Sequence, residues 1–157
     1  MTKDINNKKY KIGLTVGVFD IFHVGHLNLL ERCKEQCEYL IVGICGDDYV
    51  RSVKNKNPVY NEVDRKRILS ALQCVDEVIP ISIEEIENKL LFLQKIKFNV
   101  LFSGSDWKDS NRYKITEEQF SQLGISIEYM PYTKGISTTQ ISDKLNLYLN
   151  NNNNHFD

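Results

Sequence analysis

Short runs of β-branched and apolar residues alternate along this chain with segments whose apolar residues recur every three or four positions. That order restricts the fold more than any other feature. Ile12, Leu14 and Val16 alternate with Gly13 and Thr15, which predicts a first strand. The apolar face of Leu27, Leu30, Cys33 and Cys37 predicts a helix behind it. Further strands are expected at 38–45, 77–80, 99–103 and 125–129, and helices at 62–73, 83–96, 116–123 and 137–149. Gly46-Asp47-Asp48 reads as the end of the second strand, the stretch with Lys54, Lys56 and Pro58 as a basic loop, and 108–114 as a surface loop. Such alternation builds a parallel sheet with helices on both faces and a ligand at the carboxyl ends of its strands.

At the first strand-to-helix junction stands Gly17-Val18-Phe19-Asp20-Ile21-Phe22-His23-Val24-Gly25-His26. Two imidazoles there bracket a glycine on the first turn of the helix. Unpaired backbone N–H groups and the positive end of the helix dipole attract anions at such a place, and each ring can add a donor to the same phosphate. Gly25 offers no side chain to block a ligand. The plainer reading makes the histidines capping residues beside a tight turn. A shared metal ion is the other alternative, but no third ligand is obvious nearby.

A chain of 157 residues, 41% of them hydrophobic, has the length of one compact domain. Residues 1–149 are assigned to it, and the asparagine-rich stretch 150–157 is expected to be disordered. A net charge of -1 gives no overall attraction to nucleic acid or to an anionic membrane, so phosphate handling must rest on a few placed residues. Met1 to Lys11 is polar and lacks the apolar centre of a signal sequence, and no run is apolar enough to cross a bilayer. Cys33, Cys37, Cys45 and Cys74 form no Cys-x-x-Cys pair and read as small buried hydrophobes in a reducing cytoplasm.

Between the last strand and the last helix lies Tyr132-Thr133-Lys134-Gly135-Ile136-Ser137-Thr138-Thr139-Gln140. Ser137 and Gln140 have the spacing of a capping box, and Gly135 permits close backbone approach. Hydroxyls and N–H groups then face an anion from a second helix N-terminus at the same sheet edge.

Together, G-V-F-D-I-F-H-V-G-H and K-G-I-S-T-T resemble the cytidylyltransferase family of nucleotidyltransferases, the HxGH enzymes, and within it the glycerol-phosphate branch. The resemblance runs from about Leu14 to Leu145 and takes in D-R-K-R-I-L at 64–69, V-D-E-V-I-P at 75–80 and G-S-D-W at 104–107. It implies a Rossmann-like sheet of about five strands, of the nucleotidyltransferase α/β phosphodiesterase type. It also implies transfer of CMP from CTP to a polyol phosphate, with Mg²⁺ arriving on the CTP, a homodimer, and a CDP-alditol product used for a surface polymer. His23, His26, Lys54 and Ser137 are then the catalytic candidates. Gly17, Val18, Phe19, Asp20, Gly25, Lys56, Arg65, Gly104, Asp106 and residues Tyr132, Thr133, Lys134, Gly135, Ile136, Ser137, Thr138 and Thr139 are implied at the nucleotide. Lys54, Lys89 and Trp107 are implied at the acceptor.

Two departures stand out. Glycerol-phosphate enzymes of the family carry arginine where this chain has Gln73 and Tyr132, and Lys134 and Arg67 are near enough in sequence to compensate. The acceptor is therefore glycerol phosphate or a longer alditol phosphate such as ribitol or glucitol phosphate. Choline phosphate is disfavoured, since no aromatic cage is evident. The alternatives are transfer of AMP to a sugar phosphate, as in relatives, and a nucleotide-binding regulator that has lost turnover.

Overall fold

The computed structural model describes residues 7–152. Its strands β1 (Tyr10–Gly17), β2 (Cys37–Cys45), β3 (Glu77–Ile81), β4 (Val100–Gly104) and β5 (Ser126–Met130) form one parallel sheet in the order β3-β2-β1-β4-β5. Side chains on each strand point alternately to two cores, as a period of two requires. Leu40, Val42 and Ile44 face Leu30 and Cys33 of helix α1 (Val24–Gln36) and Leu69 of α3 (Glu62–Ser70). Ile41, Cys45 and Leu101 face Phe92, Tyr113 and Phe120 on the other side. Burial of each such leucine or phenylalanine contributes roughly 1.5–3 kcal/mol.

The expected order of elements is observed, with informative differences. Cys37 opens β2 instead of closing the first helix, because Leu40 and Ile41 already belong to the sheet and the chain turns at Gln36. Asp47–Ser52 forms an unforeseen short helix, α2, with Asp47 and Asp48 at its positive end. The expected helix at 83–96 is broken: α4 (Ile83–Glu87) ends at Asn88, a 3₁₀ turn covers Lys89–Leu91, and α5 (Phe92–Lys95) follows. Asn88 takes an extended backbone and caps the next turn through its side chain, which accounts for the break. Helix α6 (Asn111–Gln122) starts inside the stretch read as a loop, because the Ser110 hydroxyl accepts from the Tyr113 N–H. Helix α7 (Thr138–Asn152) continues past Asn150, and residues 153–157 of the expected disordered tail lie outside the described residues.

The chain adds β2 and β3 on one side of β1, then returns to place β4 and β5 on the other. At that reversal no crossover covers the carboxyl ends of β1 and β4, and a crevice opens there.

Candidate active site

The β1–α1 loop is held in a costly conformation. Phe19 and Ile21 have φ of 54° and 47°, a left-handed backbone that is strained for a β-branched residue and costs on the order of 1–3 kcal/mol. The buried Asp20 carboxylate offsets this by accepting from the N–H groups of Ile21, Val59 and Tyr60 at 3.1, 2.7 and 2.9 Å. Its carbonyl accepts from the Thr138 hydroxyl at 3.1 Å, which ties the amino end of α7 to the same loop.

His23 is the N-cap of α1 and His26 its third residue, so only His26 lies within the first turn. The two make a capping box from imidazoles: His23 Nδ1 accepts from the Gly25 N–H at 3.1 Å, and His26 Nδ1 from the His23 N–H at 3.4 Å. An Nδ1 that accepts carries no proton, so each neutral ring holds its hydrogen on Nε2. The rings stack with centroids 3.8 Å apart, and Phe19 and Phe22 each lie 5.3 Å from His26. Burial, then the neighbouring His23, drives the His26 pKa down to about 4, against a smaller upward pull from Asp20. Burial lowers that of His23 as well. Two neutral donors result. A Cβ on Gly25 would come within 2.9 Å of the His23 ring and 3.1 Å of Ile136, so this glycine is required by the stacked pair itself.

The second motif closes the other side. Ser137 Oγ accepts from the Gln140 N–H at 3.1 Å, leaving its hydroxyl proton available to an anion. Asn28 of α1 donates to Thr133 Oγ1 at 3.1 Å, joining α1 to the loop that leads into α7. Gly135 has φ +82°, and this conformation is what calls for glycine there, since a Cβ would meet nothing within 4 Å.

Between the motifs lies a cavity of ≈ 520 Å³, the size of a small-molecule site. Val18, Phe19, Asp20, His23, Gly25 and His26 line it from the first motif, and Tyr132, Thr133, Ile136, Ser137, Thr138 and Thr139 from the second. Lys54, Lys56, Gly104 and Asp106 complete the expected set, while Leu29, Met130 and Pro131 are additions. Lys134 and Gly135 do not line it, being at the exposed tip of their loop, and neither does Arg67. The Tyr132 hydroxyl occupies the space where a side chain on Gly104 would start. Burial, then the negative charge of Asp106 beside it, raises the pKa of that phenol.

Arg65 does not line this cavity. Its side chain is fully buried and donates to the carbonyls of Tyr60 (2.9 Å), Val18 (2.8 Å) and Cys45 (2.8 Å) and to Asp47 (2.6 Å). Four of its five donors are thereby engaged, and it knits the β1 end, the β2 end and the lysine loop together.

Gly17, Lys89 and Trp107 line a second, smaller cavity of ≈ 140 Å³. Val18 and Lys54 line both cavities, so the two adjoin. The Trp107 ring stacks on Tyr113 at 5.6 Å and remains 43% exposed, so it belongs to a rim and not to the core. Tyr49, Ser103, Arg112 and Tyr113 also line this cavity.

A model of the cytidylyltransferase-like family matches residues 14–144. The chain belongs to that family. It is 38% identical to a glycerol-3-phosphate cytidylyltransferase of Bacillus spizizenii over 82% of this chain and 92% of that protein. It is 33% identical to the bifunctional protein HldE of Geobacter metallireducens over 86% of this chain but 27% of that one. Among solved structures, the lipopolysaccharide core biosynthesis protein of Thermoplasma volcanium shares the fold, with a TM-score of 0.64 and 24% identity over 81% of this chain and 99% of that one. This cytidylyltransferase-like chain is an enzyme of the nucleotidyltransferase class.

The residues missed from sequence fall mostly in the smaller cavity. Arg112 and Tyr113 were hidden because the stretch carrying them read as a loop, and Ser110 as a helix cap was the available signal. Among the described residues no three His, Cys, Asp or Glu side chains come together to hold a metal ion, and no helix is long and apolar enough to cross a membrane.

Proposed function

We propose that this enzyme transfers CMP from CTP to the phosphate of a small polyol phosphate, glycerol 3-phosphate or a longer alditol phosphate, releasing pyrophosphate. The observation that carries the reading is the pair of helix N-termini facing one cavity, each with outward donors: Nε2–H of His23 and His26 on one, the Ser137 hydroxyl on the other. The relative from Bacillus spizizenii bears the name of this activity.

An acceptor phosphate oxygen attacks the α-phosphorus as the bond to the bridging oxygen of pyrophosphate breaks. A phosphate dianion needs no general base, so the enzyme positions its reactants and answers the charge that develops. Neutral imidazoles suit this task, since they donate without drawing a proton from solution at neutral pH. Lys54, shared by the two cavities, serves the attacking phosphate, and Lys56 the nucleotide. Asp20 has both oxygens engaged by backbone N–H groups, so Asp106 is the carboxylate of the cavity that could approach a metal. Mg²⁺ arriving with CTP would accordingly be held more by phosphate oxygens and water than by the protein, with Asp106 the side chain nearest to hand, and would supply charge neutralisation. Free, buried Cys33, Cys37 and Cys45 support work in a reducing cytoplasm. Exposed Leu145, Leu147, Tyr148 and Leu149 on α7 support a homodimer, which sedimentation measures. The CDP-linked product feeds a surface polymer.

The test is pyrophosphate release from CTP, Mg²⁺ and a panel of polyol phosphates. Release with CTP and an alditol phosphate is expected. Release only with ATP makes it an adenylyltransferase, and CTP binding without release with any acceptor makes it a regulator.

A further inference from the structure

The smaller cavity carries positive charge that a neutral polyol would not answer. Lys54, Lys89 and Arg112 line it, and no Asp or Glu does. Lys89 is only 9% exposed. Its ammonium donates to the Ile86 carbonyl at 3.1 Å and lies 4.7 Å from the centroid of Tyr113, and neither it nor Arg112 has an ion pair among the described residues. An ammonium has three donors, so two of those on Lys89 remain for a ligand. Burial, then the nearby Arg112, lowers its pKa to about 8. A buried cation beside a second cation is costly to the empty protein and is relieved when an anion enters.

The hydroxyls of a polyol tail need acceptors, and the cavity has few. Ser103 and Tyr113 bond to each other at 2.8 Å, and the remaining walls are largely aliphatic and aromatic. Resting on the nucleotidyl-transfer reading, we propose that this cavity selects an acceptor whose tail ends in a carboxylate, a short phosphorylated hydroxy acid, and that Lys89 and Arg112 recognise that group. The acceptor phosphate stays at Lys54, where the cavities meet, and the acid end extends toward Lys89 and Arg112. A volume of ≈ 140 Å³ admits a short tail of a few heavy atoms. The same charge repels a quaternary ammonium. Chemistry at phosphorus is unchanged: the phosphate oxygen bonds to the α-phosphorus, the bridging P–O bond breaks, pyrophosphate departs with the electron pair, and the carboxylate takes no part.

Glycerol 3-phosphate and 3-phosphoglycerate share skeleton and phosphate and differ only at the far carbon, as CH₂OH or carboxylate. With CTP and Mg²⁺, kcat/KM is expected to be at least about tenfold higher for 3-phosphoglycerate, the size of one charge-assisted hydrogen bond. Arg112→Gln and Lys89→Met should each shrink that ratio at least about fivefold, mainly through KM for the acid. Equal or greater turnover of glycerol 3-phosphate overturns the carboxylate assignment and leaves nucleotidyl transfer standing. A ratio unmoved by both substitutions overturns it too. Should neither compound release pyrophosphate, the functional reading fails, and calorimetric titration of both into the resting protein still judges the cavity. Tighter binding of 3-phosphoglycerate, weakened by Arg112→Gln, supports the assignment, and equal or weaker binding overturns it.

Discussion

The two adjoining cavities solve the problem of holding anions in different ways. The larger relies mainly on backbone N–H groups, neutral imidazoles and hydroxyls from two continuous stretches of chain, to which Lys54 and Lys56 of the basic loop add charge. The smaller relies on full charges at positions 54, 89 and 112, brought from three separate elements, with Lys89 buried without a counter-ion among the described residues and Lys54 and Arg112 exposed. A neutral donor set keeps its geometry whether or not a ligand is present, because the groups that orient it are the helix's own amides. A set of like charges is stable only to the extent that the fold tolerates it, so stability and recognition pull against each other there.

The largest effect separating the two is expected at the scaffold. Arg65→Met should destabilise the protein by about 3–5 kcal/mol in denaturant unfolding, since it strands the carbonyls of Val18, Cys45 and Tyr60 and the charge of Asp47. Next come the imidazoles. His23→Asn and His26→Gln preserve capping but remove the Nε2 donor, and each should lower kcat by roughly 10²–10³ with little change in melting temperature.

Acid provides a third test. His26 stays neutral in the folded protein down to about pH 4, whereas an unfolded histidine takes up its proton near 6.5. Stability is therefore lost as pH falls from about 6.5 toward 4, by about 3 kcal/mol from this group, and the unfolding midpoints of the native protein and His26→Gln, close together at neutral pH, should separate toward the acid end as the native protein falls below the variant. Lys89→Met should do the opposite of the substitutions in the larger cavity. It replaces an unpaired buried cation with an apolar chain and should leave stability unchanged or raise it by about 1–2 kcal/mol. A loss of stability there would break the contrast. Smallest is Gly135→Ala, at about 1 kcal/mol, for placing a Cβ at φ +82°.

How much of this was legible in the sequence follows the same division. The parallel sheet was readable from alternating apolar runs, and the larger cavity from two motifs whose residues are neighbours in the chain. Arg65 does not line the larger cavity because a motif specifies an arginine but not which way its guanidinium turns, and here three carbonyls and an aspartate claim it. The smaller cavity was legible only through the resemblance, which implied Lys54, Lys89 and Trp107 at the acceptor, whereas Arg112 and Tyr113 left no trace. Its residues are isolated in sequence, and Lys89 sits on a 3₁₀ turn created when Asn88 breaks what periodicity presents as one continuous helix. Tertiary packing, not local pattern, brings Lys89 beneath Tyr113.

Asp20 grips the amides of Val59 and Tyr60, and Arg65 grips the carbonyl of Tyr60 while reaching Val18, Cys45 and Asp47. The lysine-bearing segment is thus not an interchangeable part. Grafting it from a homologue would succeed only if residues 20, 47 and 65 travelled with it, so acceptor preference in such chimaeras should be inherited as a block and not lysine by lysine.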